Sequence, residues 1–550
     1  MSLTTTQIQA VESRGNVLVM AGAGTGKTST LVERCLHCLL HTQPLIGLDQ
    51  LLVVTFTDAA ASEVRKRIRE RLEKECAGAA DSRRAHWQEQ LAMFETAHIG
   101  TLHSFCLKLV RQHFYQLELD PQLGVLAEEE AGLLARDTLD AIFETHYAGG
   151  SARAEAVQNL IETQARGWDE PIRELALKLH RYAQTLPDPE GWYAAQLGLF
   201  ANPAPEFWRS LLVPEMQGWW RQWRPRLQEM SAGNGLAASC LRALGRLEGP
   251  CTREEAAAGL GEVIEANANL AHGTVTKQRK PLEKFLEDAG FLLTVASVED
   301  GNDPLEQDWG WVRPHMQTLM ELAREFSQEY AQSKRELGMV DFSDLEQHAL
   351  ELLWDRKQQC PTEVARHWQE QLAFVFVDEY QDINAAQDTI LMALSRDGTR
   401  ANRFLVGDVK QSIYRFRLAS PSIFQAYAKK WRDGVGCVIP LVENFRSREG
   451  VLAFVNSVFD LVMKPELGGI AYDKNARLQF GAPGERRAFS LEADPSPCAE
   501  LNLRLKTGEA GDGAEDEESE GVAAFLEAAE AEKEARLVAL RLAELKQQGF

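Results

Sequence analysis

The sequence predicts an α/β protein whose parallel sheet is interrupted by a long helical segment. Near the N-terminus, the apolar run Val17-Leu-Val-Met20 precedes a glycine-rich turn and an amphipathic helical pattern, the order of a strand–loop–helix unit. Continuous apolar, β-prone runs return at 374–377 and 403–407, as expected for buried parallel strands. Between the N-terminal unit and these later runs, residues 120–335 have a helical apolar period and lack strand-like runs.

The turn after the first strand has the pattern of a phosphate-binding loop. Glycines 22, 24 and 26 let backbone N–H groups approach phosphate oxygens, and the following helix N-terminus adds positive potential. Lys27 can reach the β- and γ-phosphates of a nucleotide, and the Thr28 hydroxyl can hold Mg²⁺. The predicted nucleotide contacts in this segment are Ala21, Gly22, Ala23, Gly24, Thr25, Gly26, Lys27, Thr28 and Ser29. Ala21 departs from the usual pattern, which opens with Gly.

A pair of carboxylates follows the later strand. Phe374–Val377 ends in Asp378-Glu379-Tyr380-Gln381-Asp382. Carboxylates at the C-terminal end of a parallel strand meet phosphates at the edge of an α/β sheet. We expect Asp378 to hold Mg²⁺ and Glu379 to orient or deprotonate the attacking water. A solvated acidic turn is the alternative, and the phosphate loop argues against it.

Bulk composition limits the class of protein. The 550 residues suggest three or four domains, and 45% hydrophobic content supports folded cores. No apolar run is long enough to cross a membrane, and MSLTTTQIQA does not resemble a secretory signal. The nine scattered cysteines suit a reducing cytoplasm. Cys35 and Cys38 lie one helical turn apart, which favours helix packing over metal or redox chemistry.

The net charge of −22 argues at first against a nucleic-acid partner. Much of it is local, because residues 508–534 are strongly acidic, and 508–521 is predicted to be a flexible acidic loop. The rest of the chain can still carry a basic groove. Total charge therefore does not decide the partner.

Five further segments complete a set of motifs. They are Leu3–Val11 with Gln7, TFTDAAASEV at 55–64, GTLHSFC at 100–106, GDVKQSIYRFRLA at 407–419 and ENFRS at 443–447. In this order, and with VDEYQD at 377–382, the set resembles superfamily 1 DNA helicases of the UvrD/PcrA/Rep/AddA type. The resemblance covers residues 1–118 and about 338–457, and Ala21 is normal in that family.

Within the family, VDFSDLE at 340–346 and QSIYRFRLA look most like AddA, the helicase–nuclease subunit of AddAB. The resemblance implies a RecA-like P-loop NTPase motor domain at 1–118 and 336–440 (1A-type) and an all-helical insertion at 119–335 (1B-type). Residues 441–550 would begin a second RecA-like domain (2A-type), ending in an amphipathic helix at 523–548. We expect the native protein to continue into later helicase motifs and a nuclease.

The resemblance also implies roles for individual residues. Gln7 would recognise adenine, and Phe445 would lie against it. Gln411 would sense the γ-phosphate, and Arg446 would stabilise charge on the transferring phosphoryl group. Because Ser29 stands where the family often has a basic residue, the second wall of the adenine pocket stays open.

Aromatic side chains on the same motifs are candidates for single-stranded DNA. Phe56, His103, Tyr414 and Phe416 would face the strand, where stacking is sequence-tolerant; core packing is the alternative for each aromatic ring. Trp208, Trp219, Trp220 and Trp223 are expected in the core. The basic run 277–280 with Lys284 is predicted to be a solvated loop, with duplex phosphates as the alternative.

The implied function is an ATP- and Mg²⁺-dependent 3′→5′ DNA helicase or translocase in double-strand break repair. It would act on single-stranded DNA and single-strand/duplex junctions in the cytoplasm, with an AddB-like partner subunit. One alternative is a free-standing UvrD/PcrA-like repair helicase. Another is a DNA-binding P-loop ATPase that regulates without unwinding.

Overall fold

The structure of the chain is a computed structural model. It describes residues 3–78, 81–270, 275–298, 301–415, 418–465, 471–493, 499–502 and 530–548. Residues 1–496 form one compact unit, and residues 497–550 form a second. In the described parts of the chain, no helix is both long enough and apolar enough to span a membrane.

Six parallel strands form the central sheet. The strands among the described residues are β1 (Val17–Ala21), β2 (Leu51–Thr55), β3 (His98–Thr101), β4 (Gly124–Val125), β5 (Met339–Val340), β6 (Trp354–Asp355), β7 (Cys360–Pro361), β8 (Phe374–Val377), β9 (Arg403–Gly407), β10 (Cys437–Leu441), β11 (Glu443–Asn444) and β12 (Gln479–Phe480). The order in the sheet is β10-β1-β9-β8-β2-β3, with every neighbouring pair parallel. The three strands from the N-terminal part therefore share one sheet with the strands that return after the helical segment.

The helices fall into four groups along the chain. The first is α1 (Thr5–Glu12), α2 (Lys27–His41), α3 (Asp58–Gly78), α4 (Asp81–Ala92) and α5 (Leu102–Gln112). The second is α6 (Glu128–Ala148), α7 (Ala152–Ala165), α8 (Glu170–Gln184), α9 (Pro189–Ala201), α10 (Glu206–Met230), α11 (Gly235–Ala243), α12 (Arg253–Ala268), α13 (Val275–Arg279), α14 (Glu283–Ala296) and α15 (Pro304–Glu336). The third is α16 (Phe342–Leu353), α17 (Glu363–Gln371), α18 (Ala385–Leu394), α19 (Pro421–Lys430) and α20 (Glu449–Val462), and the last is α21 (Glu530–Gln547).

Helices cover both faces of the sheet, which is why its central strands are mostly apolar. On one face, α2 and α3 pack Leu31, Cys35 and Ile68 against the strands. On the other, α5, α16, α17, α18 and α19 form a second core. Every residue of β2 and of β9 is buried. Cys35 and Cys38 are both buried, and burial raises the pKa of each thiol, so helix packing explains this pair.

The helical segment between β4 and β5 has cores of its own. The short strands β4 and β5, at its two ends, pair in parallel. Helices α6–α9 pack on the long helix α15, and α10, α11, α12 and α14 form a separate cluster. Trp219 stacks on Phe285 with 5.1 Å between ring centroids, and Trp220 is fully buried. Trp208 and Trp223 are also packed against these cores, so the four tryptophans predicted to be core residues are confirmed, whereas Trp168 and Trp311 of the same segment are exposed.

A second small sheet begins after β10. Strands β11 and β12 pair in parallel, and α20 lies between them in the chain, which makes a β–α–β unit. The final helix α21 is described from Glu530 to Gln547, within the predicted 523–548. Residues 503–529, which include the acidic loop 508–521 and the predicted start of this helix, lie outside the described residues. The domain boundaries near 118, 335 and 440 remain predictions.

Candidate functional site

The motif-bearing loops all leave the same edge of the sheet. Parallel strands all end at one edge of the sheet. There β1 leads into the phosphate loop, β2 into TFTDAAASEV and β3 into the TLHSF helix, while β8 leads into DEYQD and β9 into DVKQS. Ligands of open α/β sheets bind at this edge. The candidate site therefore follows from strand order.

The phosphate loop has backbone geometry that requires glycine. Gly24 has a φ of +72° and Gly26, at the start of α2, a φ of +85°. Both lie in the left-handed region that residues with a Cβ rarely adopt. The Thr25 hydroxyl donates to the Gly22 carbonyl at 2.7 Å and closes the loop.

Two amide side chains hold carbonyls of this loop from outside. Gln7 Nε2 donates to the Thr25 carbonyl at 3.0 Å, while Gln7 Oε1 accepts from the Thr4 N–H at 2.9 Å. Asn444 Nδ2 donates to the Ala23 carbonyl at 2.7 Å. Adenine recognition by Gln7 stays a prediction, because in this structure its amide is engaged by the helix cap and the loop. Sequence reasoning assigned no role to Asn444.

Lys27 meets the predicted base and the predicted sensor. Its Nζ donates to Glu379 Oε2 at 2.6 Å and to Gln411 Oε1 at 3.2 Å. The Lys27 side chain is 11% exposed and that of Glu379 is 34% exposed. Glu379 has a φ of +50°, a conformation that costs roughly 1–3 kcal/mol and recurs at functional sites. The Lys27 ammonium group thus joins the phosphate loop to the DEYQD and DVKQS segments.

Asp378 is a buried carboxylate with spare coordinating capacity. Among the described residues it accepts one hydrogen bond, from the Glu379 N–H at 3.0 Å, and forms no ion pair. Burial, and next the negative charge of Glu379, raise the pKa of Asp378 to about 6, against the opposing effect of Lys27. A buried carboxylate that lacks a cation fits Mg²⁺, which usually takes one or two protein carboxylates and completes its shell with phosphate oxygens and water. Thr28, in the first turn of α2, is the second predicted ligand.

Gln381 links the two loops behind this centre. Its side chain donates to Glu379 Oε2 at 2.9 Å and to Asp382 Oδ2 at 3.0 Å, and accepts from the Asp408 N–H at 2.9 Å. Asp408 Oδ2 in turn accepts from Gln411 Nε2 at 2.8 Å. A ring of hydrogen bonds thus joins base and sensor. Gln381 is 1% exposed. The sequence analysis assigned it no role beyond its place in the DEYQD motif.

The ENFRS segment lies directly on the phosphate loop. The Phe445 N–H donates to the Gly24 carbonyl at 2.8 Å, and a Cβ on Gly24 would lie 2.7 Å from Arg446 Cβ. Arg446 is exposed beside the loop, where a phosphate-directed guanidinium is expected. The Phe445 ring packs closely on Gly481. Its contact with adenine, and the role of Arg446, stay predictions.

A basic side chain does reach the position occupied by Ser29. Arg67, on α3, donates through Nη1 to Ser29 Oγ at 3.2 Å, and its Nε contacts Glu63 Oε1 at 2.7 Å. A guanidinium from the neighbouring helix α3 thus lies beside the Ser29 hydroxyl. The sequence signal was indirect, because α3 carries several arginines and only the fold selects one.

Two of the predicted DNA-facing aromatics contact each other. The rings of Phe56 and Tyr414 lie 4.9 Å apart at an interplanar angle of 31°, and both side chains are half-buried. An adjacent pair of partly open rings suits base stacking. Phe416, the fourth predicted DNA residue, lies outside the described residues.

His103 is part of a different cluster. Its ring lies 5.0 Å from that of Phe342, an aromatic residue that is 49% exposed. His103 Nε2 contacts Glu346 Oε1 at 2.8 Å. Sequence reasoning singled out the VDFSDLE segment that holds Phe342 and Glu346 only for its family resemblance. The structure places this segment in contact with His103, one of the predicted DNA contacts.

Fold and site together define a P-loop NTPase with a RecA-like α/β motor, in which a phosphate loop and an acidic pair follow strands β1 and β8 of one parallel sheet. The sequence model of the UvrD/REP helicase N-terminal domain matches residues 3–432. The chain belongs to this family of ATP-dependent DNA helicases.

Its relatives include proteins named as ATP-dependent helicase/nuclease subunits of the A type. The chain is 34% identical to that of Alkaliphilus metalliredigens (strain QYMF), over 98% of this chain and 45% of the relative. It is 35% identical to that of Pelotomaculum thermopropionicum, over 98% and 46%, and 32% identical to that of Bacillus licheniformis, over 94% and 44%. The chain spans less than half the length of these relatives.

Proposed function

We propose that this chain is the motor part of an ATP-dependent DNA helicase that moves 3′→5′ along single-stranded DNA. The observation that carries the proposal is the convergence of Lys27 on Glu379 and Gln411. A cation, a base and an amide sensor at one point are the components that phosphoryl transfer to water needs. The family membership supplies the DNA substrate.

The residues divide the work of hydrolysis. The N–H groups of the glycine loop and Lys27 bind the phosphates, and Glu379 orients and deprotonates water when Lys27 turns to the γ-phosphate. Gln411 then exchanges its contact with Lys27 for one with phosphate, and Arg446 stabilises the developing charge. Mg²⁺, held by Asp378 and Thr28, would neutralise charge on the phosphates.

The strand would pass over the same edge of the sheet. Phe56 and Tyr414 provide one stacking platform and His103 with Phe342 a second. Tyr414 is three residues from Gln411, so a change at the γ-phosphate is transmitted within one loop. This short connection supports a translocase over an ATPase that only regulates.

The names of the relatives support a more specific proposal. Because those proteins are named as components of a helicase/nuclease, we assign the full-length protein to the cytoplasmic repair of double-strand breaks, with a nuclease and a second, AddB-like subunit. A free-standing repair helicase is the competing assignment. Co-purification of the full-length protein with nuclease activity and with an endogenous second subunit supports the first; an active helicase without either supports the second.

Strand displacement tests the motor itself. Duplexes with a 3′ or a 5′ single-stranded tail are given to the full-length protein with ATP and Mg²⁺. We expect displacement of the 3′-tailed duplex only. Displacement from the 5′ tail would contradict the polarity, and ATP hydrolysis without displacement of either would favour the regulator.

A further inference from the structure

Glu346 is a buried carboxylate that has no role in the ATP and DNA contacts proposed above, although Phe342 of the same VDFSDLE segment does. Its side chain is 6% exposed. Three donors from two other helices surround it: His103 Nε2 at 2.8 Å, Gln387 Nε2 at 2.6 Å and Asn384 Nδ2 at 3.3 Å. No lysine or arginine forms an ion pair with it among the described residues. A buried charge held only by neutral amides and one imidazole requires a specific reason.

The Glu346 carboxylate fixes the tautomer and the orientation of the His103 imidazole. A carboxylate only accepts, so His103 must keep its proton on Nε2, which leaves Nδ1 and the ring face directed away from Glu346. The contact with Phe342, one helical turn before Glu346, fixes the tilt of the ring. The imidazole is 35% exposed, so a held ring is presented to solvent.

The other two donors belong to the start of α18. Asn384 is its N-cap: Asn384 Oδ1 accepts from the Gln387 N–H at 2.8 Å, and Gln387 Oε1 accepts from the Asn384 N–H at 3.3 Å. This capping box follows Asp382, the last residue of DEYQD, after one residue. The Asp382 N–H donates to the Glu379 carbonyl at 3.0 Å.

We propose that Glu346 is a positioning residue that couples single-stranded DNA at His103 to the position of the Glu379 loop. The proposal rests on the proposed function, because it needs DNA at His103. When DNA displaces the imidazole, the carboxylate moves with it, and the N-terminus of α18 and the adjoining DEYQD loop follow. The same connection requires that nucleotide and DNA alter each other's affinity by an equal factor.

Glu346→Gln tests the connection with little change of shape. The amide NH₂ of the new glutamine would face the side-chain NH₂ groups of Asn384 and Gln387, which are also donors, and the hydrogen bond to His103 would lose its negatively charged acceptor. In the full-length protein, we expect the concentration of single-stranded DNA that half-activates ATP turnover to rise roughly tenfold, within the range of coupled sites. The ratio of turnover with saturating DNA to turnover without DNA should fall. Glu351→Gln is the matched control, since that carboxylate is on the same helix and 63% exposed.

A thermodynamic cycle separates coupling from simple structural damage. If Glu346 acts through His103, the double variant Glu346→Gln/His103→Ala should be no worse in DNA activation than His103→Ala alone. Additive losses would overturn the proposal. So would a lower melting temperature with turnover reduced equally with and without DNA. If Glu346→Gln does not fold, Glu346→Asp, which keeps the charge but is one methylene shorter, is used in the same cycle.

The wild-type control distinguishes the two levels of failure. A wild-type protein that DNA does not activate would contradict the proposed function, and this inference with it. A wild-type protein that DNA activates, with unchanged activation in Glu346→Gln, would contradict the inference alone.

Discussion

Lys27 Nζ lies 2.6 Å from Glu379 Oε2, although the two residues are 352 positions apart in the chain. The contact joins the phosphate-binding cation to the residue that we assign as the base. Because Lys27 is also the predicted phosphate ligand, we expect a bound nucleotide to draw its ammonium towards the phosphates and leave Glu379 free to accept a proton from water.

Glu379→Gln should retain ATP binding and lose hydrolysis. The amide keeps the shape and can still accept from Lys27, but it cannot take a proton from water. General-base catalysis is worth roughly 10²–10⁴ in rate. Single-turnover hydrolysis and a nucleotide titration on the same sample measure the two properties. Glu370→Gln, an exposed carboxylate on α17, is the control, and lost affinity with normal turnover of bound ATP would contradict the assignment.

Asp378→Asn should stabilise the nucleotide-free protein at alkaline pH and abolish Mg²⁺-dependent hydrolysis. Because burial raises the pKa of Asp378 from 3.8 to about 6, the ionised form destabilises the fold. The loss of folding free energy is absent below pH 3.8, the pKa of Asp378 in the unfolded chain, grows as the pH rises towards 6 and is complete above 6. For a pKa raised to this extent, the full loss is about 3 kcal/mol.

The pH dependence of the melting temperature tests whether the ionised Asp378 carboxylate destabilises the fold. The melting temperature of Asp378→Asn should exceed that of the wild type at pH 8, and the difference should shrink at pH 4.5. In the wild type, the affinity for Mg²⁺ should fall as the pH drops below about 6, because a proton and the metal ion compete for the Asp378 carboxylate. A variant that is less stable than the wild type at pH 8 would show that the carboxylate is stabilising instead.

Gln381→Glu should lower turnover at saturating ATP more than it changes the affinity for ATP. The substitution keeps the shape but places a second negative charge beside Glu379 Oε2 and loses a donor at 2.9 Å. Removal of a charge-assisted hydrogen bond costs roughly 1.5–3 kcal/mol, or about 10- to 150-fold in rate if it acts in the transition state. Steady-state kinetics with Gln371→Glu as an exposed control measure the effect. Unchanged turnover would remove Gln381 from the mechanism.

Phe56→Ala and Tyr414→Ala should each weaken single-stranded DNA binding by about 1–3 kcal/mol with little sequence bias. Because the two rings lie 4.9 Å apart, the double variant should show a non-additive loss. Fluorescence anisotropy with several sequences, beside melting temperatures, decides between stacking and core roles. Reduced stability with unchanged DNA affinity would assign the rings to the core. Phe416→Ala is expected to resemble them, on sequence grounds alone.

The sheet and the nucleotide loops could be predicted because their signals are local. The strands at 374–377 and 403–407 have the predicted bounds, since buried parallel strands are continuous apolar runs. The phosphate loop carries its glycines where positive φ angles require them. These features need no knowledge of distant contacts.

The supporting contacts could not be predicted, because they depend on which distant side chains meet. Arg67 reaches Ser29 only because α3 packs beside α2, and Gln381 faces Asp408 only because β8 and β9 are neighbours. The partners of His103 come from α16, which the chain reaches only after the helical segment. The amphipathic pattern of the sequence predicts that those helices exist, but it does not predict how they are placed relative to one another.

ATP hydrolysis by the full-length protein, with and without single-stranded DNA, tests the proposed motor most directly when wild type and Lys27→Ala are compared. We expect single-stranded DNA to raise wild-type turnover and Lys27→Ala to abolish turnover in both conditions, because the γ-phosphate loses its main side-chain cation. Turnover that is indifferent to DNA, or that survives without the Lys27 ammonium, would contradict the assignment of this sheet edge as the site of a DNA-dependent motor.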